Sequence, residues 1–368
     1  MTTRTLIDSR LTKNHMGINI ASTTIGIGIL TFPRFLANTT GGFDGWISIV
    51  AGGIGALVIG WLLATLASRF PRQSFFEYTA QITTKPIAVI LTFLVCLFAI
   101  GIVSFEIQAI GVITKQYLFY DTPVEMITLS FLWVVQYAVA KSRNAMLHLH
   151  LLFLPVVLFV LLIVVLFTLQ HVRIDNIRPF FSSDWQSLLV GAKDVGFAYS
   201  GVGVILFYTM LKKRPKEAPK AVLLGISMPI VLYAIIYMVI VAVFSVEVVK
   251  NLVYPTIELA KEVEIPGGFF TRVESIFFAI WIMTIFNTSA MWYDVLIMNL
   301  SDLFKKVSKI VWITMLSPII YIISMIPQNV MKFLALGELI QYYELAIIYL
   351  IPICLLVIAK MRGVRGNE

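Results

Sequence analysis

Residues 24–33 read Thr24-Ile25-Gly26-Ile27-Gly28-Ile29-Leu30-Thr31-Phe32-Pro33, inside an apolar run extending from about His15 to Leu36. A second apolar run, from about Trp185 to Leu211, is interrupted by Tyr199-Ser200-Gly201-Val202-Gly203. In a count of hydrophobic spans these are the first and sixth helices, the opening segments of two five-helix halves. Glycine-interrupted segments at corresponding positions of two halves point to a small-molecule site at the membrane midplane of a transporter-type scaffold.

Composition supports the membrane assignment. Hydrophobic residues make up 59% of the 368 residues and charged residues only 13%, whereas a soluble domain carries about 25% charged residues. The mean hydropathy is +0.91. Spans of about 20 apolar residues fall at 15–36, 45–67, 86–114, 124–140, 145–169, 186–211, 220–244, 270–300, 309–326 and 337–360. The expected fold is therefore an all-α integral membrane protein of ten transmembrane helices. It forms one transmembrane domain over residues 1–368, its halves covering about 15–169 and 186–360. No linker or low-complexity tract interrupts the series.

Loop lysines and arginines set the sidedness. Arg4, Arg10 and Lys13 at the N-terminus lie on the same side as Arg69, Arg72, Lys85, Lys141 and Arg143. Lys212, Lys213, Arg214, Lys216, Lys220, Lys305, Lys306, Lys309, Lys360, Arg362 and Arg365 share that side. The opposite side has only Lys115, Arg173, Arg178, Lys250, Lys261 and Lys332. Both termini are expected to be cytoplasmic. The net charge of +8 is thus a topology signal, and its scatter over short loops argues against nucleic-acid binding. The first apolar run exceeds a signal-peptide core and lacks a small-residue cleavage site. Cys96 and Cys354 fall within spans and imply neither a disulfide framework nor a metal site.

The chemistry expected at the breaks follows from helix ends. The piece beginning near Gly28 presents the N–H groups of Gly28, Ile29 and Leu30, and a positive dipole end, to a carboxylate. The first half of the sixth helix ends near Ala198–Tyr199, so the carbonyls of Phe197, Ala198 and Tyr199 suit an ammonium group. Together they would form a zwitterion receptor without charged side chains. The plainer reading is that the glycines permit close helix packing. Glu106 is an acid well inside the third span and serves either as a ligand or proton site or as a structural lock with Lys193 or Arg272. Asn287-Thr288-Ser289, mid-way along the eighth span, offers hydrogen bonds to a ligand or to neighbouring helices, and Thr288-Ser289 could line a sodium site.

Other features are scaffold. Gly52, Ala56, Gly60, Ala64 and Ser68 form a small-residue stripe on the second span for close helix contact. Pro155, Pro229, Pro318 and Pro352 read as kinks that neighbouring helices tolerate. Residues 255–263, ended by Pro266-Gly267-Gly268, read as an amphipathic helix in an external connection, either a lid or a surface helix. His148 and His150 are two apart on a helix and cannot converge on one metal, and Ser200 lacks the leading glycine of a hydrolase elbow. No cofactor and no enzymatic activity are expected.

The first-helix stretch is similar to the signature of amino acid–polyamine–organocation transporters. More narrowly, the chain resembles the B subunit of GerA-type spore germinant receptors. The resemblance rests on Ser104-Phe105-Glu106, Asn176-Ile177-Arg178-Pro179, Tyr254-Pro255-Thr256-Ile257 and Arg272-Val273-Glu274-Ser275-Ile276 with Trp281. It implies a LeuT-like 5+5 inverted repeat with broken first and sixth helices, residence in the spore inner membrane, and A and C subunits as partners. It further implies that an amino acid, sugar or similar small nutrient binds in a pocket lined by Gly26, Gly28, Val103, Ser200 and Thr288. The function expected is nutrient sensing that triggers germination. An autonomous amino acid secondary transporter is the alternative.

Overall fold

The computed structural model describes residues 13–211, 214–263 and 273–366. Arg4, Arg10, Lys212, Lys213, Pro266-Gly267-Gly268, Arg272 and the side chain of Glu274 lie outside these residues. Among the described residues the secondary structure is entirely helical, as a bilayer requires of a chain that does not close a barrel. The elements in the first part are α1 (Lys13–Thr24), α2 (Gly28–Thr40), α3 (Gly45–Ser68), α4 (Phe75–Ile82), α5 (Lys85–Tyr117), α6 (Val124–Ala140) and α7 (Arg143–Thr168). Then come α8 (Trp185–Asp194), a 3-10 segment (Val195–Val204), α9 (Ile205–Tyr208), α10 (Ala218–Phe244), α11 (Val246–Asn251) and α12 (Pro255–Lys261). The last elements are α13 (Val273–Leu303), α14 (Lys309–Ser324), α15 (Val330–Glu344), a π-helical turn (Leu345–Leu350) and α16 (Ile351–Met361).

Seven of these stretches are long and apolar enough to cross a membrane, among them Gly45–Ser68, Lys85–Tyr117 and Trp185–Leu211. Asn14–Thr24 and Gly28–Thr40 together make one further span, bent by 59° at the expected first break. The shorter apolar helices α6 and α14 stand where the fourth and ninth spans were expected. The third span is longer than its apolar core, because α5 continues to Tyr117.

Local sequence sets the ends. Ser142, Asp184, Ser308 and Asn329 each cap the first turn of a helix through side-chain oxygen. At Asp184 the hydroxyl and N–H of Ser187 hold the carboxyl below its ordinary range. Ser74 and Glu77 form a reciprocal capping box before α4. Pro155, Pro229 and Pro318 lie inside helices that continue through them. Pro352 has a larger effect: it lacks the N–H that the Ile348 carbonyl would accept, and the preceding turn widens into the π form.

The core places α1 and α2 at the centre. α1 packs on α10, α7, α13 and the 3-10 segment, while α2 packs on α8, α11 and α12. Helix α12 is no loose surface helix: Pro255, Thr256, Ile257, Leu259 and Ala260 are buried. The Thr256 hydroxyl donates to the Ile29 carbonyl at 2.7 Å, seating α12 on the first turn of α2.

Candidate functional site

At the first break the backbone leaves the helical ladder for three residues. The Gly26 N–H donates to the Thr24 carbonyl at 3.0 Å, a turn too tight for a helix. α2 then restarts with Leu30 N–H donating to Ile27 O at 3.0 Å, so the first-turn N–H groups of Gly28 and Ile29 lack intrahelical acceptors. The carbonyls released by the break are taken by side chains. Thr288 donates to Thr23 O at 3.2 Å, and Tyr233 donates to Thr24 O at 2.8 Å.

The sixth helix was expected to break at Tyr199-Ser200-Gly201-Val202-Gly203, and the α-helix is interrupted there, by tightening of the backbone and not by a sharp bend. Residues 195–204 tighten into a 3-10 segment and the span runs on to Leu211. Runs of 3-10 helix beyond 3–4 residues are uncommon and often mark a hinge or a strained sequence. The Ala198 carbonyl is not open, because the Tyr233 hydroxyl lies 3.1 Å from it. Tyr233 therefore shares one proton between Thr24 and Ala198, one acceptor on each irregular segment. The Tyr199 side chain is buried and its hydroxyl donates to Ile49 O at 3.1 Å.

The two segments touch through their glycines. A Cβ on Gly28 would stand 2.7 Å from Ala198 Cα, and a Cβ on Gly201 would stand 2.5 Å from Thr23 C and O. Close backbone approach is thus one physical requirement for glycine at both positions. The stripe on α3 works similarly, since a Cβ on Gly52 would meet Ala192 O at 2.6 Å.

The expected site residues divide into two groups on either side of the break. Gly28, Phe197, Ala198 and Tyr199 line a cavity of about 570 Å³, together with Thr31, Phe32, Gly55, Ala56, Phe105, Lys193, Phe333 and Glu344. That volume falls within the ~300–1,000 Å³ usual for small-molecule sites. Gly26, Glu106, Asn287 and Thr288 instead form a buried polar cluster. A Cβ on Gly26 would stand 3.0 Å from Thr288 Oγ1 and 3.5 Å from Glu106 Oε1. Ser289 donates to Glu106 at 3.3 Å, and Asn287 donates to Ser22 at 2.6 Å while its own Oδ1 is buried without a partner. Ile29, Val103 and Ser200 are not among the residues lining the cavity. Ile29 and Val103 are packed in the core.

The expected lock between Glu106 and Lys193 is not formed. Lys193 Nζ sits 5.3 Å from the ring centre of Tyr342, at the cavity, and Arg272 lies outside the described residues. A different ion pair ties the bundle. Asp294 on α13 accepts from Arg143 Nη2 at 3.0 Å and from Arg143 Nε, and Tyr208 donates to it at 2.7 Å. Asp294 is an acid inside the eighth span, so the criterion that singled out Glu106 applied to it equally. Arg143 was read only as a topology charge. Glu344 carried the same intramembrane signal in the tenth span. For Tyr233 the sequence carried no signal, because its role depends on where two carbonyls converge.

The spore germination protein family (Spore_permease) matches residues 10–333. Spore germination protein GerLB of Bacillus cereus is 37% identical over 363 residues, covering 98% of this chain and 97% of that protein. Spore germination protein YndE of Bacillus subtilis (strain 168) is 29% identical over 360 residues, covering 98% of this chain and 99% of that protein. Among solved structures, MhsT in complex with L-phenylalanine superposes with a TM-score of 0.68 at 13% identity, covering 97% of this chain and 91% of that one. This likeness establishes a LeuT-like transporter fold and, with the family, a permease type of protein. The chain belongs to the spore germination protein family.

Proposed function

We propose that this protein is the nutrient-sensing membrane subunit of a spore germinant receptor, binding an amino acid or other small nutrient where its two irregular segments meet. The observation that carries the reading is the cavity of about 570 Å³ bounded by Gly28 on one segment and Phe197, Ala198 and Tyr199 on the other. A ligand there touches both segments at once, so occupancy biases how they pack. Gly26, Ile29, Val103, Ser200, Asn287, Thr288 and Glu106 complete the proposed ligand-responsive region, Glu106 as its structural or gating member. The chain is one transmembrane domain of two five-helix halves. It resides in the spore inner membrane with both termini in the cytoplasm, and A and C subunits are its partners. Family membership and the short connections between spans support partner-dependent signalling over solitary action.

The test is a panel of amino acids and sugars screened by thermal shift on the purified protein, since a ligand that binds only the folded state raises its apparent stability. A hit should also trigger germination of spores that carry the protein and fail in spores that lack it. A hit that is taken up saturably by liposomes holding this protein alone, with no effect on germination, would replace the receptor with the autonomous transporter.

A further inference from the structure

One wall of the cavity carries a buried ionisable side chain, Glu344. Glu344 ends α15 at the start of the π-helical turn and lines the cavity although its residue is only 2% exposed. Single π turns in helices recur at functional sites. Glu344 accepts from the Tyr349 hydroxyl at 2.8 Å, and no ion pair of Glu344 occurs among the described residues. Lys193, the lysine of the lining, lies over the Tyr342 ring instead. A carboxylate at this depth is costly without a counter-ion. The rest of the wall suits an organic cation: Phe32, Phe105, Phe197 and Phe333 provide apolar surface and aromatic faces. Tyr349 also sits 3.4 Å from the Ser200 carbonyl, so the group beside Glu344 is in contact with the 3-10 segment.

We propose that Glu344 is the ammonium-binding group of this cavity, so that its ligands are primary amines with an apolar body, amino acids included. The proposal rests on the reading of the cavity as the nutrient site. An arriving ammonium supplies the missing counter-charge to Glu344 and competes for the oxygen that Tyr349 now occupies. That competition transmits occupancy to Ser200.

Three probes that share a phenethyl body test it by thermal shift on the purified full chain: phenethylammonium, 2-phenylethanol and 3-phenylpropionate. At about 10 mM, ten times a millimolar Kd, phenethylammonium should raise the melting temperature of the wild type while the neutral and anionic probes do not. In Glu344→Gln the Kd for phenethylammonium should rise roughly 10- to 100-fold, the loss expected for a hydrogen bond to a charged group. Glutamine keeps an oxygen for Tyr349, and Glu344→Asp, which keeps the charge, should retain part of the binding. Absence of any shift with phenethylammonium, an equal shift with 2-phenylethanol, or an undiminished shift in Glu344→Gln would overturn the proposal. If Glu344→Gln fails to accumulate, discrimination among the three probes by the wild type decides alone. Amines that bind through Glu344 without triggering germination would leave the subsite and remove the nutrient reading. Amines that trigger germination equally in Glu344→Gln spores would do the reverse.

Discussion

Between Thr24 and Gly28 the chain bends by 59°, whereas between Val195 and Val204 it runs on as a tightened 3-10 segment inside Trp185–Leu211. The difference lies in who receives the backbone carbonyls. At the first segment, Thr288 and Tyr233 on other helices accept the task of pairing Thr23 and Thr24. The second segment keeps its own i→i+3 bonds and borrows shared protons from Tyr233 at Ala198 and from Tyr349 at Ser200. A glycine pair in a membrane helix therefore announces close backbone approach, and the polar side chains of its neighbours decide whether the helix also opens. The second segment is further anchored at its far end, where Tyr208 joins the Asp294–Arg143 pair.

The largest effect expected on this comparison comes from that anchor. Asp294→Asn leaves the partly buried Arg143 without its counter-charge and should cost up to about 3 kcal/mol, read as lost protein in the membrane and a lower melting temperature. Unchanged abundance would mean that the sixth span does not depend on its tether. Gly201→Ala comes next. The added Cβ would press on Thr23 and Thr24, and overpacking of this kind should cost about 1–3 kcal/mol. A fully stable Gly201→Ala protein would show that the two segments are further apart than described. Tyr233→Phe is the mildest, about 1 kcal/mol for the shared hydrogen bond. It should loosen Thr24 and Ala198 together, visible as faster amide hydrogen exchange at both segments; protection lost at only one of them would show that the bond serves that one alone.

Local sequence pattern accounts for the first of these segments better than for the second. The spans, the first break and the contact role of Gly28, Gly52 and Gly201 follow from hydropathy and glycine spacing, which act locally. The state of the sixth span depends on how Tyr233 and Tyr349 reach its carbonyls from α10 and the π turn, and no local pattern records that. Glu106 stands out in the sequence as a ligand or proton site or as a lock with Lys193 or Arg272, because sequence shows which charges are intramembrane but not which face each other. The same blindness hid Asp294 and Glu344. The expected pocket was one group of residues; the fold separates it into a cavity at Gly28 and a polar cluster at Gly26, two residues apart on opposite sides of a bend.

Gly28 itself cannot separate binding from packing, since it meets both the cavity and Ala198. Gly196 can. It lines the same cavity from the 3-10 segment, and a Cβ added there meets nothing within 4 Å. A leucine at this position adds bulk at the cavity wall from a Cβ that presses on no backbone. The nutrient sensitivity of germination should therefore be measured in spores carrying Gly196→Leu, alongside protein level. Normal abundance with the nutrient response abolished is the predicted result. Normal abundance with unchanged nutrient sensitivity would place the ligand outside this cavity and contradict the account.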